Sequence, residues 1–450
     1  MSVAELDLEL LKQFDGPAPR YTSYPTAQQF GGAVDESAYR AAAHSVRDSR
    51  AALSLYVHLP FCWSPCFYCG CNRVISRSPG AREQYLRSLS VEVRLQSELF
   101  DRARRVRQLH LGGGTPTVYT PGELSGLVDE IGRHFTLEEE RDREFSIEID
   151  PRTVDASSMR AIVGIGFTRV SLGVQDFDPV VQRAVNRVQP TELTVRAVDA
   201  ARQAGVRSLN IDLIYGLPLQ TLHSFERTLD TMIGLRPDRV ACYAYSHLPD
   251  MIKAQRQIHA AELPGPVLRA QLQNLAIRKL TSAGYRYIGM DHFALPEDEL
   301  SRALDDGTLH RDFQGYSTRP LRDLVGLGVS AIGKVGDCYA QNEKSLRGWR
   351  AVLDAGRLPI QRGVRRTRDD EIRGEVIQQL MCHGRVDRAV VEQRFQIRFD
   401  EYFTPEMQEI RRLDAAGLTR VAGGDIQLTS AGRLLMRRVA MVFDAHARAS

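Results

Sequence analysis

Four cysteines, Cys62, Cys66, Cys69 and Cys71, fall within ten residues of one stretch, Tyr56 to Asn72, YVHLPFCWSPCFYCGCN. Thiolate is a soft ligand that suits iron–sulfur clusters and zinc. Structural zinc sites usually take their cysteines as two well-separated pairs, and one tight loop leaves little chain to form a tetrahedral cage. Disulfides are disfavoured in a chain that shows no secretory signal, because intracellular thiols are kept reduced. The C-x3-C-x2-C spacing of Cys62, Cys66 and Cys69 differs from ferredoxin-type runs, and three thiolates on a four-iron cluster leave one iron free for a ligand that is not protein. That open iron would be the point of reaction. Cys242, Cys338 and Cys382 are scattered, as buried small residues are.

The elements that must position such a loop repeat as strand, loop and helix from about residue 51 to 350. Candidate strands are 53–59, 107–111, 144–150, 168–174, 207–214 and 239–246, with helical stretches at 81–100, 121–134, 191–204 and 223–234. This alternation argues a parallel sheet of βα units, either a barrel or an open doubly wound sheet. The period of two places Glu148 and Asp150 opposite Phe145, Ile147 and Ile149, and Asn210 and Asp212 opposite Leu209, Ile211 and Leu213. Gln175 follows Ser171 and Gly173 on one face, and Tyr56 goes with Ser54 and His58. Polar faces recurring near the C-terminal strand ends point to one shared cavity. The run LHLGGGTPT after the second strand lets backbone approach a ligand closely, but neither GxGxxG nor GxxxxGK[ST] is present.

The 450 residues allow two domains, or one large domain with an extension. With 43% hydrophobic and 26% charged residues the chain reads as an ordinary soluble globular protein. No apolar run approaches the roughly 18 residues that span a bilayer, and the N-terminus lacks a basic region followed by an apolar one, so a cytoplasmic location is expected. A net charge of +3, five lysines against 54 arginines and arginines mixed with acids throughout give no nucleic-acid signature. Residues 1 to about 50 form an extension without strong periodicity, whose PRYTSYPTA stretch resists helix. His292 beside Asp291 makes no catalytic triad and reads as structural. After a composition change at 355–370, helix candidates at 369–383, 387–395, 405–416 and 430–447 with a turn at Gly423-Gly424-Asp425 suggest a winged helix or a cap domain. No basic stripe with base-reading residues accompanies it.

The cysteine loop preceded by YVHLPF resembles the radical S-adenosylmethionine (SAM) enzymes, and Cys71, giving CxxxCxxCxC, narrows the resemblance to the oxygen-independent coproporphyrinogen III oxidase family. It begins at PRYTSYPTA and continues through LHLGGGTPT, SIEIDPR, GVQDF, NIDLIYGLP, GMDHFA, FQGY and GDCYAQN. The resemblance implies an α/β fold, a partial (β/α)6 radical-SAM barrel with an N-terminal arm (1–50), a catalytic barrel with its extension (51–355) and a mainly helical, winged-helix-like C-terminal domain (356–450). It implies that Cys62, Cys66 and Cys69 hold a [4Fe–4S] cluster whose fourth iron takes the amino and carboxylate groups of SAM. Tyr56, Gly113, Glu148 and Ile332 match positions around that first SAM. Tyr68, Gly114, Thr115, Gln175, Arg187, Asp212 and Ser246 match positions around a second.

Cys71 is expected off the iron in a supporting role, since a fourth thiolate would close the site. Arg20 and its neighbours are expected to cover the active site or touch substrate. The implied reaction is anaerobic oxidative decarboxylation of two propionates of coproporphyrinogen III to vinyl groups, giving protoporphyrinogen IX in heme biosynthesis through a 5′-deoxyadenosyl radical, with no side chain as acid or base. An electron-donor protein such as flavodoxin or ferredoxin is implied, together with a monomer that engages neither nucleic acid nor membrane. The alternative is a heme-binding chaperone of the same superfamily, but such relatives typically lack the residue corresponding to Cys71 and the PRYTSYPTA arm.

Overall fold

The computed structural model describes residues 18–139, 143–319 and 322–447, together with Leu10, Phe14 and Gly16. The chain divides into two compact units, one of Phe30–Gly265 and Leu321–Arg365, the other of Met1–Gln29, Pro266–Pro320 and Arg366–Ser450. The units thus cut the chain elsewhere than at 50 and 355, because residues 266–320 make their contacts with the C-terminal region.

In the larger unit the main strands are β1 (Leu53–Leu59), β2 (Val106–Gly113), β3 (Glu144–Ile149), β4 (Arg169–Gln175), β5 (Ser208–Tyr215) and β6 (Arg239–Ala244), followed by β7 (Asp323–Leu327), β8 (Ile332–Val335), β9 (Cys338–Asn342) and β10 (Ile360–Arg365). Strands β1 to β6 are parallel and lie side by side in chain order. A doubly wound sheet would reverse its order at a switch point, and none occurs among these six, so the barrel arrangement holds. Strand β7 adds parallel to the free edge of β1, and β8, β9 and β10 continue antiparallel from it.

Burial alternates along the strands, with Phe145, Ile147 and Ile149 on β3 and Leu209, Ile211 and Leu213 on β5 all buried while their polar neighbours are half-buried. Each such aliphatic side chain contributes about 2 kcal/mol of burial. The intervening helices start where the sequence supplies caps. Pro121–His134 opens on a capping box between Thr120 and Glu123 with Pro121 at its first position, and Leu222–Leu235 on one between Thr221 and Ser224. Glu92, inside helix Pro79–Ser97, ties the antiparallel extension to the barrel by accepting from Gly328 N–H (2.8 Å), Asn342 Nδ2 (2.6 Å) and Trp349 Nε1 (3.1 Å).

Two expectations change. The N-terminal extension contains a regular helix, Glu36–Ser45, capped by Asp35, whose Tyr39, Ala42 and Ala43 are buried. Its buried face is short, and two of its three buried residues are alanine, so little apolar side chain marks it in the sequence. The single helix expected at 430–447 is three short pieces, Ser430–Leu434, Met436–Ala440 and the 3-10 turn Met441–Phe443, because Leu435 leaves helical geometry at φ −107°.

In the smaller unit the helices Arg368–His383, Arg388–Phe395 and Thr404–Ala415 accompany a three-stranded sheet of Arg385–Asp387, Asp425–Leu428 and Thr419–Ala422. Its hairpin turns through Gly423 and Gly424, whose φ values of 61° and 90° suit a two-residue turn that glycine adopts without steric cost. Among the described residues no helix is long and apolar enough to cross a membrane.

Candidate active site

The cysteine loop leaves the C-terminal end of β1 and is pinned from many directions. Phe61–Cys62 pairs in parallel with Val74–Ile75. Arg73 donates to the carbonyls of Cys69 (2.7 Å) and Cys66 (3.1 Å), Asn186 Nδ2 to Pro65 O (2.7 Å), and Gln255 Nε2 to Tyr68 O (3.0 Å). His58 shares a hydrogen bond of 2.7 Å between Nε2 and Asn72 O, while its Nδ1 lies 3.1 Å from the Tyr56 hydroxyl. A carbonyl can only accept, so Nε2 carries the proton and Nδ1 accepts from Tyr56. Burial lowers the His58 pKa, in keeping with that neutral ring.

The loop forms one wall of a cavity of about 430 Å³, and the strand ends form the rest. Of the residues singled out in the sequence, Cys62, Cys66, Cys69, Cys71, Tyr68, Gly113, Gly114, Thr115, Glu148, Gln175, Arg187 and Asp212 line this cavity. Tyr56, Ile332 and Ser246 do not. Tyr56 stacks on His110 at 5.8 Å. Ile332 begins β8 opposite Gln341, and Ser246 is exposed, its carbonyl accepting from Gln255 at 3.1 Å.

Of the three carboxylates that line the cavity, Glu148 and Asp212 are held in different states. Burial pushes the Glu148 carboxyl up, but His110 (Nε2 to Oε1, 3.4 Å) and the Gly113 N–H (3.1 Å to Oε2) outweigh it, so the group stays below its ordinary range. Burial raises Asp212 to about 6, against opposing hydrogen bonds from Ser171 and Asn210, each 2.8 Å. Gln175 reaches the cavity from a bulge in β4, where the register slips between Gly173 and Gln175 and Gln175 adopts φ 72°. A left-handed non-glycine costs about 1–2 kcal/mol and persists where its surroundings hold it.

The cysteines are unpaired thiols, Cys62 and Cys66 buried, Cys69 half-buried and Cys71 exposed. The Thr115 hydroxyl donates to Cys62 Sγ at 3.4 Å and Arg187 Nη1 to Cys66 Sγ at 3.5 Å. Among the described residues no three His, Cys, Asp or Glu side chains are gathered to grip a metal ion. A four-iron cluster asks for a different arrangement, one thiolate for each of three irons, with sulfurs spaced around a cage. Among the described residues the buried Arg187 Nε has no partner, and all four cysteines line the same cavity of about 430 Å³ as Arg187, so the residues present fit such a group with a polar ligand next to it.

Asp150, which strand alternation placed with Glu148 on the polar face, also lines the cavity, and the structure adds His110, Trp63, Arg73 and Arg77, which the sequence did not single out for the site. Asp150 is gripped by Arg152 through Nε (3.0 Å) and Nη2 (2.6 Å) and by Arg187 Nη1 (3.2 Å). Burial pushes Asp150 up, and the two guanidinium groups overcome that and hold it low. His110 orients Glu148, and the strand alternation that marked Glu148 could have marked His110 on β2. Trp63, Arg73 and Arg77 lie in irregular chain, which has no period to expose them.

A model of the Radical SAM superfamily matches residues 56–232, and one of the HemN C-terminal domain matches residues 367–435. Oxygen-independent coproporphyrinogen III oxidase from Pseudomonas aeruginosa is 47% identical over 446 residues, 98% of this chain and 96% of that protein. The protein of the same name from Escherichia coli K12 is 43% identical over 450 residues, 100% of this chain and 97% of that one. The solved structure of coproporphyrinogen III oxidase (HemN) from Escherichia coli, described as a radical SAM enzyme, superposes with a TM-score of 0.94 at 43% identity, covering 99% of this chain and 100% of that one. Similarity of that depth, running from the arm through the barrel to the C-terminal sheet, means that the chain belongs to the oxygen-independent coproporphyrinogen III oxidases of the radical SAM superfamily.

Proposed function

We propose that the chain performs the anaerobic oxidative decarboxylation of two propionates of coproporphyrinogen III to vinyl groups, yielding protoporphyrinogen IX for heme synthesis. The observation that carries this is the meeting of a CxxxCxxCxC loop with polar strand ends in one cavity of a chain whose relatives bear that activity in their names. The family works with a [4Fe–4S] cluster and SAM. When bound, these supply the one-electron chemistry that breaks an unactivated propionate C–H bond, a step beyond any side chain here.

Cys62, Cys66 and Cys69 each contribute one thiolate, and Cys71 stays off the iron. Glu148, ionised and oriented by His110 and Gly113, accepts from a hydroxyl or ammonium of the first SAM, with Tyr56 and Ile332 in support. A second SAM lies among Tyr68, Gly114, Thr115, Gln175, Arg187, Asp212 and Ser246. Tyr68 and Ser246 offer it backbone there, whereas Arg187 and Asp212 offer charge. The protein acts as a cytoplasmic monomer and takes electrons from a flavodoxin or ferredoxin. A heme-binding chaperone is the poorer reading, since both Cys71 and the PRYTSYPTA arm are present.

The test is anaerobic turnover of reconstituted protein with reductant, SAM and coproporphyrinogen III, followed by chromatography and mass spectrometry. The expected result is protoporphyrinogen IX with about two 5′-deoxyadenosines per molecule. Deoxyadenosine without decarboxylated porphyrinogen would move the substrate elsewhere. Neither product, with stable heme binding instead, would favour the chaperone.

A further inference from the structure

Four arginines line the cavity, Arg73, Arg77, Arg152 and Arg187, and three of them are engaged. Arg73 holds the carbonyls of Cys66 and Cys69, while Arg152 and Arg187 share Asp150. Arg77 has no hydrogen bond or ion pair among the described residues, and it is exposed. Its backbone position is nevertheless fixed. On one side Ser76 N–H donates to Cys62 O at 3.0 Å, and on the other Ser78 caps helix Pro79–Ser97 through Ala81 N–H at 3.3 Å. Arg77 is therefore a cation held at the cavity rim by the same ladder that anchors the first cysteine.

The carboxylates within the cavity are already in use. Glu148 accepts from His110 and Gly113, Asp150 from the two arginines, and Asp212 from Ser171 and Asn210. A guanidinium in this setting has its planar donor fork available for an anion that a ligand brings, and a carboxylate matches that fork with two parallel hydrogen bonds.

We propose that Arg77 binds a propionate carboxylate of the porphyrinogen substrate, an inference that rests on the function proposed above. SAM carries a carboxylate too, so the same chemistry has two sources. Position favours the porphyrinogen. While one propionate is drawn inward to react, the others, spread around the macrocycle, remain toward the rim, where Arg77 stands. The amino-acid end of SAM belongs instead with the cysteine loop and the glycine turn. Arg77 thus selects for a macrocycle bearing several carboxylates and sets which one points inward.

The test compares wild type, Arg77→Gln and Arg77→Lys as cluster-reconstituted proteins. Equilibrium titration with coproporphyrin III, which is already oxidised and does not react, is set beside titration with its neutral tetraamide. Arg77→Gln is expected to weaken coproporphyrin III binding about tenfold while leaving the tetraamide unchanged, the size of a charge-assisted contact at a partly wet site. KM for coproporphyrinogen III should rise by a similar factor with kcat within about twofold, and Arg77→Lys should recover part of the loss because charge remains without the fork. Iron content and SAM affinity should stay at wild-type values.

Equal weakening of acid and amide, an unchanged titration, or a loss confined to SAM affinity would each overturn the proposal. Its failure is distinguishable from that of the proposed function. Wild-type protein that binds coproporphyrin III but never decarboxylates its porphyrinogen sinks the function, and the acid-against-amide difference still decides Arg77.

Discussion

Asp212 and Glu148 face the same cavity from different strands, and their surroundings set them apart. Asp212 has mainly neutral donors against its burial, so its carboxyl titrates near 6 rather than 3.8. The folded chain therefore binds a proton that the unfolded chain has released between about pH 4 and 6, and stability falls as pH rises through that window. Asp212→Asn removes the charge and is expected to stabilise the SAM-free protein by on the order of 2 kcal/mol at pH 8, a gain that closes toward pH 4. Urea denaturation at pH 8, 6 and 4 checks this, and a variant no more stable at pH 8 contradicts it. The cysteines give a second expectation at this scale. Replacing Cys62, Cys66 or Cys69 with alanine should abolish bound iron, whereas Cys71→Ala should keep iron near normal and lose activity; complete iron loss from Cys71→Ala would place that thiol on the cluster. Strand alternation made Glu148, Gln175 and Asp212 legible in the sequence because a period of two marks one face. Arg73 and Arg77 were not legible, since their roles depend on chain that follows no period.

The glycine turn after β2 shows how one element positions another. Gly114 N–H donates to Leu59 O and Thr115 N–H to Phe61 O, both at 2.9 Å, so the turn is laced to the start of the cysteine loop. A Cβ on Gly114 would lie 2.5 Å from Pro60 O and 2.7 Å from Phe61 O, and backbone oxygens in a ladder cannot rotate aside. Gly114→Ala should force the two loops apart, lowering SAM affinity at least tenfold and stability by about 2 kcal/mol. Equilibrium dialysis with SAM and urea midpoints would show it, and wild-type values in both would mean that the loops yield cheaply. From sequence alone three glycines suit any tight turn, and only the neighbouring backbone gives them this duty. Helix Pro121–His134, by contrast, was legible to the residue because its proline and capping box are local signals. Helix Glu36–Ser45 was not, because alanines supply most of its buried face.

At the scale of the molecule the two units interleave along the chain, and composition cannot reveal this because the decisive partners are remote in sequence. Tyr21 OH donates to Asp444 at 2.9 Å, and Ala445 N–H donates to Tyr24 OH at 2.9 Å. Arg437 reaches Ala18 O at 3.0 Å, Arg311 reaches Arg20 O at 3.2 Å, and Arg20 itself pairs with Asp291. Tyr21 and Tyr24 are 3% and 5% exposed in one core with Ile372, Val376 and Phe443, so the arm is part of the core of the smaller unit. Two buried tyrosines at about 2 kcal/mol each, together with the Tyr21 hydrogen bond lost from Asp444 Oδ2, approach the net stability of a domain. Deleting residues 1–30 should therefore loosen that unit, exposing the helices between 368 and 415 to limited proteolysis, and turnover should fall. Iron should remain near normal, because the cysteines and the contacts described here as holding their loop belong to the larger unit. Undiminished turnover in the deletion would remove the arm from both folding and function, and iron loss alongside the proteolysis would mean that the larger unit depends on the smaller for its own fold.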